Sequence, residues 1–308
     1  MPSQVIPTVI IAGPTASGKS AVALELAMAC RGEIVCADSM QVYRDLDVLS
    51  ARPSAADEAR VPHHLYGKVD GAERYSAGRF VREARAVIED IKARRRLPIL
   101  CGGTGLYLKA LTEGVAPIPE VPKDITLRLN EEWDLDAAAF RRELLKADSA
   151  MERLDPADRQ RHIRALGVLR STGRPLSEWQ AAGQAEAPAE GPYLGFVLGP
   201  PREALYARIE GRFDTMLERG AREEVASLMQ RDLDPALPVM KALGVREVAA
   251  IAEGASEAEM IAAAKQETRR FAKRQMTWFR NQTSWPSYER GPDLVVAALH
   301  ALGVTSSA

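Results

Sequence analysis

Gly13-Pro14-Thr15-Ala16-Ser17-Gly18-Lys19-Ser20 follows the apolar run Val9-Ile10-Ile11-Ala12 and leads into Ala21-Val22-Ala23-Leu24-Glu25-Leu26-Ala27, a strong helix former. Strand, glycine-rich turn and helix, in that order, are the setting in which a G-x-x-x-x-G-K-[ST] match reads as a phosphate-binding loop. The glycines let the backbone fold back so that successive N–H groups point inward. The helix N-terminus adds partial positive charge, Lys19 adds a full one, and Ser20 offers its hydroxyl to Mg²⁺. The stretch predicts a nucleotide site, ATP included, or a site for any other diphosphate.

The chain has 308 residues, 46% hydrophobic and 27% charged, enough for one large or two modest domains with ample core. A net charge of −1 supplies no global field for nucleic acid, so RNA binding has to come from local basic patches. Cys30, Cys36 and Cys101 are scattered among apolar neighbours and read as core thiols in a reducing compartment. Met1 to Thr8 lacks a signal pattern and no apolar run is long enough to span a membrane, so the expectation is a cytoplasmic protein. It is expected to be a monomer, because no apolar seam is left over.

Glu33-Ile34-Val35-Cys36-Ala37 reads as a second strand that ends in Asp38-Ser39-Met40-Gln41-Val42-Tyr43. Ligands of doubly wound sheets sit at the carboxyl ends of strands, which puts Asp38 across from the phosphate loop. Position alone leaves open a helix cap, an Mg²⁺ ligand or a catalytic carboxylate. His63 and His64 read as structural, since neighbouring side chains on a strand point opposite ways. Residues 76–95 form an amphipathic helix with Phe80, Ala84, Val87, Ile88 and Ile91 inward. Pro98-Ile99-Leu100-Cys101 then empties into a second glycine turn, Gly102-Gly103-Thr104-Gly105, whose backbone can approach a ligand closely.

From Pro117, with Pro119 and Pro122, to Gly191 the chain reads as a helical insertion without strands. Between Arg159 and Arg174 acidic partners thin out, which favours a phosphate-facing strip over a solvated helix face. Ala181 to Pro192 reads as a loose linker. Tyr193 to Leu198 resumes the sheet, a helix runs from Pro201 past Arg208 and Arg212 to Gly220, and another covers 221–231. In residues 265–280, basic side chains interleave with Phe271 and Trp278; this suits a nucleic-acid backbone, although such aromatics also serve as core.

In this order the pieces resemble the bacterial-type tRNA dimethylallyltransferases (tRNA isopentenyltransferases). The resemblance rests on the loop, on Asp38 to Tyr43, on Val61-Pro62-His63-His64-Leu65 and on Gly102 to Tyr107. It continues through Gln160-Arg161, Arg164-Ala165-Leu166, Met240-Lys241-Ala242-Leu243-Gly244, Ala272 to Gln275 and Thr277-Trp278-Phe279-Arg280. It implies an α/β fold: a P-loop NTPase-like parallel sheet core flanked by helices, over residues 1–116 and 192–308, with a helical insertion domain over 117–191.

The implied activity is transfer of a dimethylallyl group from dimethylallyl diphosphate to the exocyclic N6 amine of the adenosine 3′-adjacent to the anticodon, in tRNAs reading codons that begin with U. By the same resemblance Asp38 accepts the proton of this weakly nucleophilic amine, an effect typically worth about 10²–10⁴-fold. The loop, Lys19, Mg²⁺ on Ser20 and Arg212 hold the departing diphosphate, and Thr104 positions the amine or a bridging diphosphate oxygen. The tRNA contacts carried over are Asp38, Ser39, Met40, Gln41 and Thr104 around a flipped base. Arg128, Gln160, Arg161, His162, Ile163 and Arg164 supply those of the insertion, and Arg246, Lys273 and Arg274 supply those further on.

Three departures stand out. Leu49-Ser50-Ala51-Arg52-Pro53 replaces the usual Gly-Thr-Ala-Lys-Pro, and Val245 stands where tyrosine is common. Gly167 replaces a glutamate, at a helix cost of about 1 kcal/mol against alanine. Two rivals remain: a P-loop kinase of a small metabolite, and a nucleotide-switched RNA-binding protein. The kinase has no need of the insertion or of residues 265–280, and the binder gains nothing from Asp38 near RNA phosphates.

Overall fold

Every residue of Thr8–Ala12 (β1) is buried, as is every residue of Gly32–Cys36 (β2) and Leu97–Gly102 (β4). Strands buried on both faces belong to a parallel sheet covered by helices. With His63–His64 (β3), Tyr193–Leu198 (β5) and Ser287–Tyr288 (β6) they form a six-stranded sheet of order β3-β2-β4-β1-β5-β6, parallel throughout. The structure, a computed structural model, describes residues 5–114, 116, 118–182 and 191–304.

Lys19–Cys30 (α1) and Gly291–Ala301 (α13) cover one face of the sheet. Val22 and Leu26 pack there with Leu294, Val295 and Ala298 against Val9, Ile11, Ile34 and Ile99. The alternate strand positions Ile10, Val35 and Leu100 point the other way, where Ala77–Ala93 (α3) packs on β2 and β4. Phe80, Ala84, Ile88 and Ile91 are among its buried residues and Val87 is half-buried. Between β2 and β3 lies the short helix Ala55–Arg60 (α2), and Gly105–Glu113 (α4) follows β4. His64 bonds Glu33 at 2.7 Å and His63 bonds the Val61 carbonyl at 2.8 Å, which makes both structural.

The chain divides into two compact units, Met1–Thr112 with Ala189–Ala308, and Glu113–Pro188. Lys123–Leu135 (α5), Ala137–Ala147 (α6), Arg159–Thr172 (α7) and Leu176–Ala181 (α8) build the second unit, and it has no strand among its described residues. Its core holds Leu129, Phe140, Leu144, Met151, Ile163, Leu166 and Val168. Gly167 lies where α5 and α7 approach closely; a Cβ there would stand 2.9 Å from Val121 Cγ1 and 3.2 Å from Leu129 Cδ1. Close packing accounts for this departure. Pro117 and most of the expected linker, residues 183–190, lie outside the described residues.

Back in the first unit, Arg202–Glu218 (α9), Ala221–Met229 (α10), Val245–Ala252 (α11) and Glu257–Gln282 (α12) follow β5. No helix among the described residues is long and apolar enough to cross a membrane.

Candidate active site

Because β4 lies between β1 and β2, three adjacent strands deliver the phosphate loop, the second glycine turn and Asp38 to one edge. Register pairs Ala12 with Gly102 and Cys36 with Cys101. Burial pushes the Cys101 thiol up to about 11 and Cys36 well above its ordinary value, so both are neutral floor residues.

The loop takes its shape from Ala16 (φ 62°) and Gly18 (φ 94°), both left-handed. Lys19 is buried and its ammonium donates to the Pro14 carbonyl at 3.3 Å. The amides of Lys19 and Ser20 lie in the first turn of α1, where a helix offers them no acceptor. Ser17 Oγ is buried without a hydrogen-bond partner among the described residues, and Arg208 donates to the Ser17 carbonyl at 2.9 Å. Two loop residues do other work than expected. Pro14 has no N–H to offer a phosphate, and the Thr15 N–H donates to Gln275 Oε1 at 2.9 Å. Both shape the loop.

A cleft of about 450 Å³ opens on the loop, lined by Lys19, Ser20, Arg52, Arg208, Arg212 and Arg219. Asp47 is the one carboxylate among its lining residues besides these cations, and it pairs with Arg52 at 3.1 Å. The excess of positive charge suits the cleft to an anion. Arg212 stands one turn beyond Arg208 on α9; burial lowers its pKa, and the Asp38 carboxylate opposes that shift. The two charges therefore lie close enough to act on each other. The departing segment from Leu49 to Pro53 is held in place: Glu224 accepts from the amides of Asp47, Val48 (2.7 Å) and Leu49 (2.9 Å).

On the acceptor side, the Ser39 N–H donates to Thr104 Oγ1 at 2.9 Å, and the Thr104 N–H donates to the Ala37 carbonyl at 3.2 Å. Asp38 Oδ1 accepts from the amides of Met40 (2.9 Å) and Gln41 (3.4 Å). Capping and catalysis were alternatives in the sequence; here the cap occupies Oδ1, and Oδ2 has no hydrogen-bond donor among the described residues. Ser39 and Met40 are half-buried. Gln41 is a correction: it is buried, and its amide nitrogen donates to the carbonyls of Ser50 (3.0 Å) and Ala51 (2.8 Å), which makes it a brace for that loop rather than a reader of RNA.

Two further corrections lie in the insertion. His162 and Ile163, expected among RNA contacts, are core residues; the His162 ring sits 5.2 Å from Trp133. The arginine strip is not short of acids, because several come from other helices and others from the helix ends. Arg159 pairs with Asp134 at 2.8 Å, and Arg170 with Glu132 and Glu143 at 2.8 and 2.9 Å. Arg161 pairs with Asp158 at 3.2 Å and Arg174 with Glu178 at 3.3 Å. Arg128, Gln160, Arg161 and Arg164 remain exposed.

Helix α12 is likewise less basic than its sequence. Lys265 pairs with Asp214 (2.7 Å), Arg269 with Glu210 (2.7 Å) and Arg270 with Glu267 (2.5 Å). Lys273 and Arg274 are exposed, with Arg274 over the Phe271 ring at 5.6 Å. Arg246 is exposed and bonds Glu247 at 3.0 Å. The residue missed in the sequence is Gln275, buried in α12, whose Nε2 donates to the Gly103 carbonyl at 2.9 Å. A polar residue in a helix next to Ala272 and Phe279 was the available signal.

A parallel sheet with a phosphate loop after β1 and a carboxylate after a nearby strand defines a P-loop α/β protein. Residues 41–282 match the IPP transferase family and residues 6–65 match isopentenyl transferase. A tRNA dimethylallyltransferase of Bradyrhizobium sp. (strain BTAi1) is 52% identical over 279 residues, covering 89% of this chain and 91% of its own length. One from Phenylobacterium zucineum is 52% identical over 281 residues, 90% of this chain and 91% of its own. Among solved structures, a tRNA isopentenylpyrophosphate transferase of Bacillus halodurans matches with a TM-score of 0.69 at 31% identity, over 96% of this chain and 95% of that one. A eukaryotic dimethylallyltransferase acting on tRNA reaches 0.76 at 30% identity, over 89% of this chain and 70% of that one. This chain belongs to the IPP transferase family, the tRNA dimethylallyltransferases.

Proposed function

We propose that this protein transfers the dimethylallyl group of dimethylallyl diphosphate to N6 of the adenosine 3′-adjacent to the anticodon in tRNAs reading U-initial codons. The observation that carries the reading is a cationic cleft on the phosphate loop whose Arg212 feels the charge of Asp38, a carboxylate with no hydrogen-bond donor at Oδ2 among the described residues. The adenine N6 attacks the allylic carbon, the carbon–oxygen bond to diphosphate breaks, and Asp38 takes the N6 proton. Thr104, fastened to Ser39, positions the amine. Loop amides, Lys19 and Arg212 meet the charge that develops on the leaving oxygens.

Mg²⁺ suits this donor set. The Ser20 hydroxyl is a single hard oxygen at the start of α1, and Mg²⁺ takes most of its remaining ligands from phosphate oxygens and water. When bound it neutralises diphosphate charge. In this reading Arg128, Gln160, Arg161, Arg164, Arg246, Lys273 and Arg274 meet tRNA, and the protein acts as a cytoplasmic monomer. The test is release of diphosphate from dimethylallyl diphosphate, expected only when unmodified tRNA is present. Release of phosphate from ATP to a small acceptor would favour a kinase instead, and tRNA binding without any release would favour a binding protein.

A further inference from the structure

Three elements far apart in sequence meet at one side chain. Gln275 lies 260 positions after Thr15 and 172 after Gly103, yet it bonds both at 2.9 Å. Its Oε1 accepts from the loop that cradles the diphosphate. Its Nε2 donates to the turn that carries Thr104. A primary amide offers an acceptor and a donor on one planar group, and here the side chain that carries both is buried.

The surroundings are built for this bridge. A Cβ on Gly103 would stand 2.3 Å from Gln275 Nε2, so the turn accommodates the amide only as glycine. One turn earlier on α12, Ala272 packs with Leu205, Ile209 and Ala16, which seats the helix against α9 and the loop. One turn later, the Trp278 ring occupies the space above Gly105, where a Cβ would stand 2.2 Å from it. The bridge is therefore flanked by packing on both sides and has little freedom to move.

We propose that Gln275 is a positioning residue that holds the leaving-group loop and the acceptor turn at a fixed separation, so that the attacking nitrogen and the allylic carbon meet in line. This rests on the prenyl-transfer reading above. Gln275 touches neither reactant; it acts through Thr15 and Gly103. A displacement of about 1 Å between two reacting groups costs about 10²-fold in rate, whereas each substrate still finds its own half of the site.

The test is steady-state kinetics of the full chain with dimethylallyl diphosphate, Mg²⁺ and unmodified tRNA. Gln275→Met keeps the volume and removes both bonds; its kcat is expected to fall about 30- to 100-fold with both KM values within about threefold of the parent. In Gly103→Ala the new Cβ displaces the amide, so this variant is expected to lose kcat similarly. Combined with Gln275→Ala it should be no more than about threefold worse than Gln275→Ala alone, because the two changes break the same link. A Gln275→Met kcat within about twofold of the parent would overturn the proposal, as would loss confined to KM or multiplicative losses in the double variant. An inactive parent chain would instead overturn the prenyl-transfer reading, so the two failures are distinguishable.

Discussion

The Thr104 hydroxyl accepts a hydrogen bond from the Ser39 amide at 2.9 Å and lies 3.3 Å from Ser39 Oγ, so the carboxyl ends of β4 and β2 are tied beside the candidate base. Thr104→Val keeps the shape and leaves the Ser39 N–H without its acceptor. The expected result is a loss of about 1 kcal/mol in stability and a roughly tenfold or greater fall in single-turnover rate. Thr104→Ser should retain most of both, measured by thermal melting and quenched transfer assays.

Asp38 carries two functions on separate oxygens, and two variants separate them. Asp38→Asn keeps an Oδ1 that accepts from Met40 and Gln41, so the turn survives while the base is gone. Its single-turnover rate should fall about 10²–10⁴-fold with tRNA affinity little changed. Asp38→Ala should lose the same rate and, in addition, about 1 kcal/mol of stability with the cap. An undiminished rate in Asp38→Asn would remove Asp38 as the base.

Glu224 ties down the wall of the cleft through three consecutive amides, and that wall carries Arg52. Glu224→Ala is expected to cost about 2 kcal/mol of stability, in the range for hydrogen bonds to a charged group. The KM for dimethylallyl diphosphate should rise several-fold while the Kd for tRNA stays put. Equal effects on both ligands would show that the loop has no preferential part in diphosphate binding.

The arginines of α7 differ in their ion pairs: Arg161 has one, to Asp158 of its own helix cap, whereas Arg170 has two, to Glu132 and Glu143. Replacing Arg161 and Arg164 together by alanine should weaken tRNA binding and lower the slope of log K against log salt by about 0.7–0.9 for each phosphate no longer neutralised. Arg170→Ala, which breaks ion pairs to Glu132 and Glu143, should leave the slope unchanged and lower the melting temperature. The reverse pattern would reassign the two groups.

Where a signal was local in the chain, it was legible. The phosphate loop and the Asp38 turn are read over a few residues because strand, turn and helix nucleation are short-range, and the apolar face of residues 76–95 follows from helical period alone. What was not legible depends on partners elsewhere. Arg170 looks unpaired along its own helix, since Glu132 and Glu143 arrive from α5 and α6. His162 sits among arginines in the sequence but turns inward toward Trp133. Gln275 sits in a basic run, and its bond to Thr15 exists only after the sheet has brought the two ends of the first unit together.

The most direct measurement is mass analysis of nucleosides from unmodified tRNA incubated with the protein, dimethylallyl diphosphate and Mg²⁺. The expected result is an adenosine carrying one added prenyl group, located immediately 3′ of the anticodon and absent when Asp38→Asn replaces the parent. An adenosine of unchanged mass, from protein that is folded and binds the tRNA, would contradict the account.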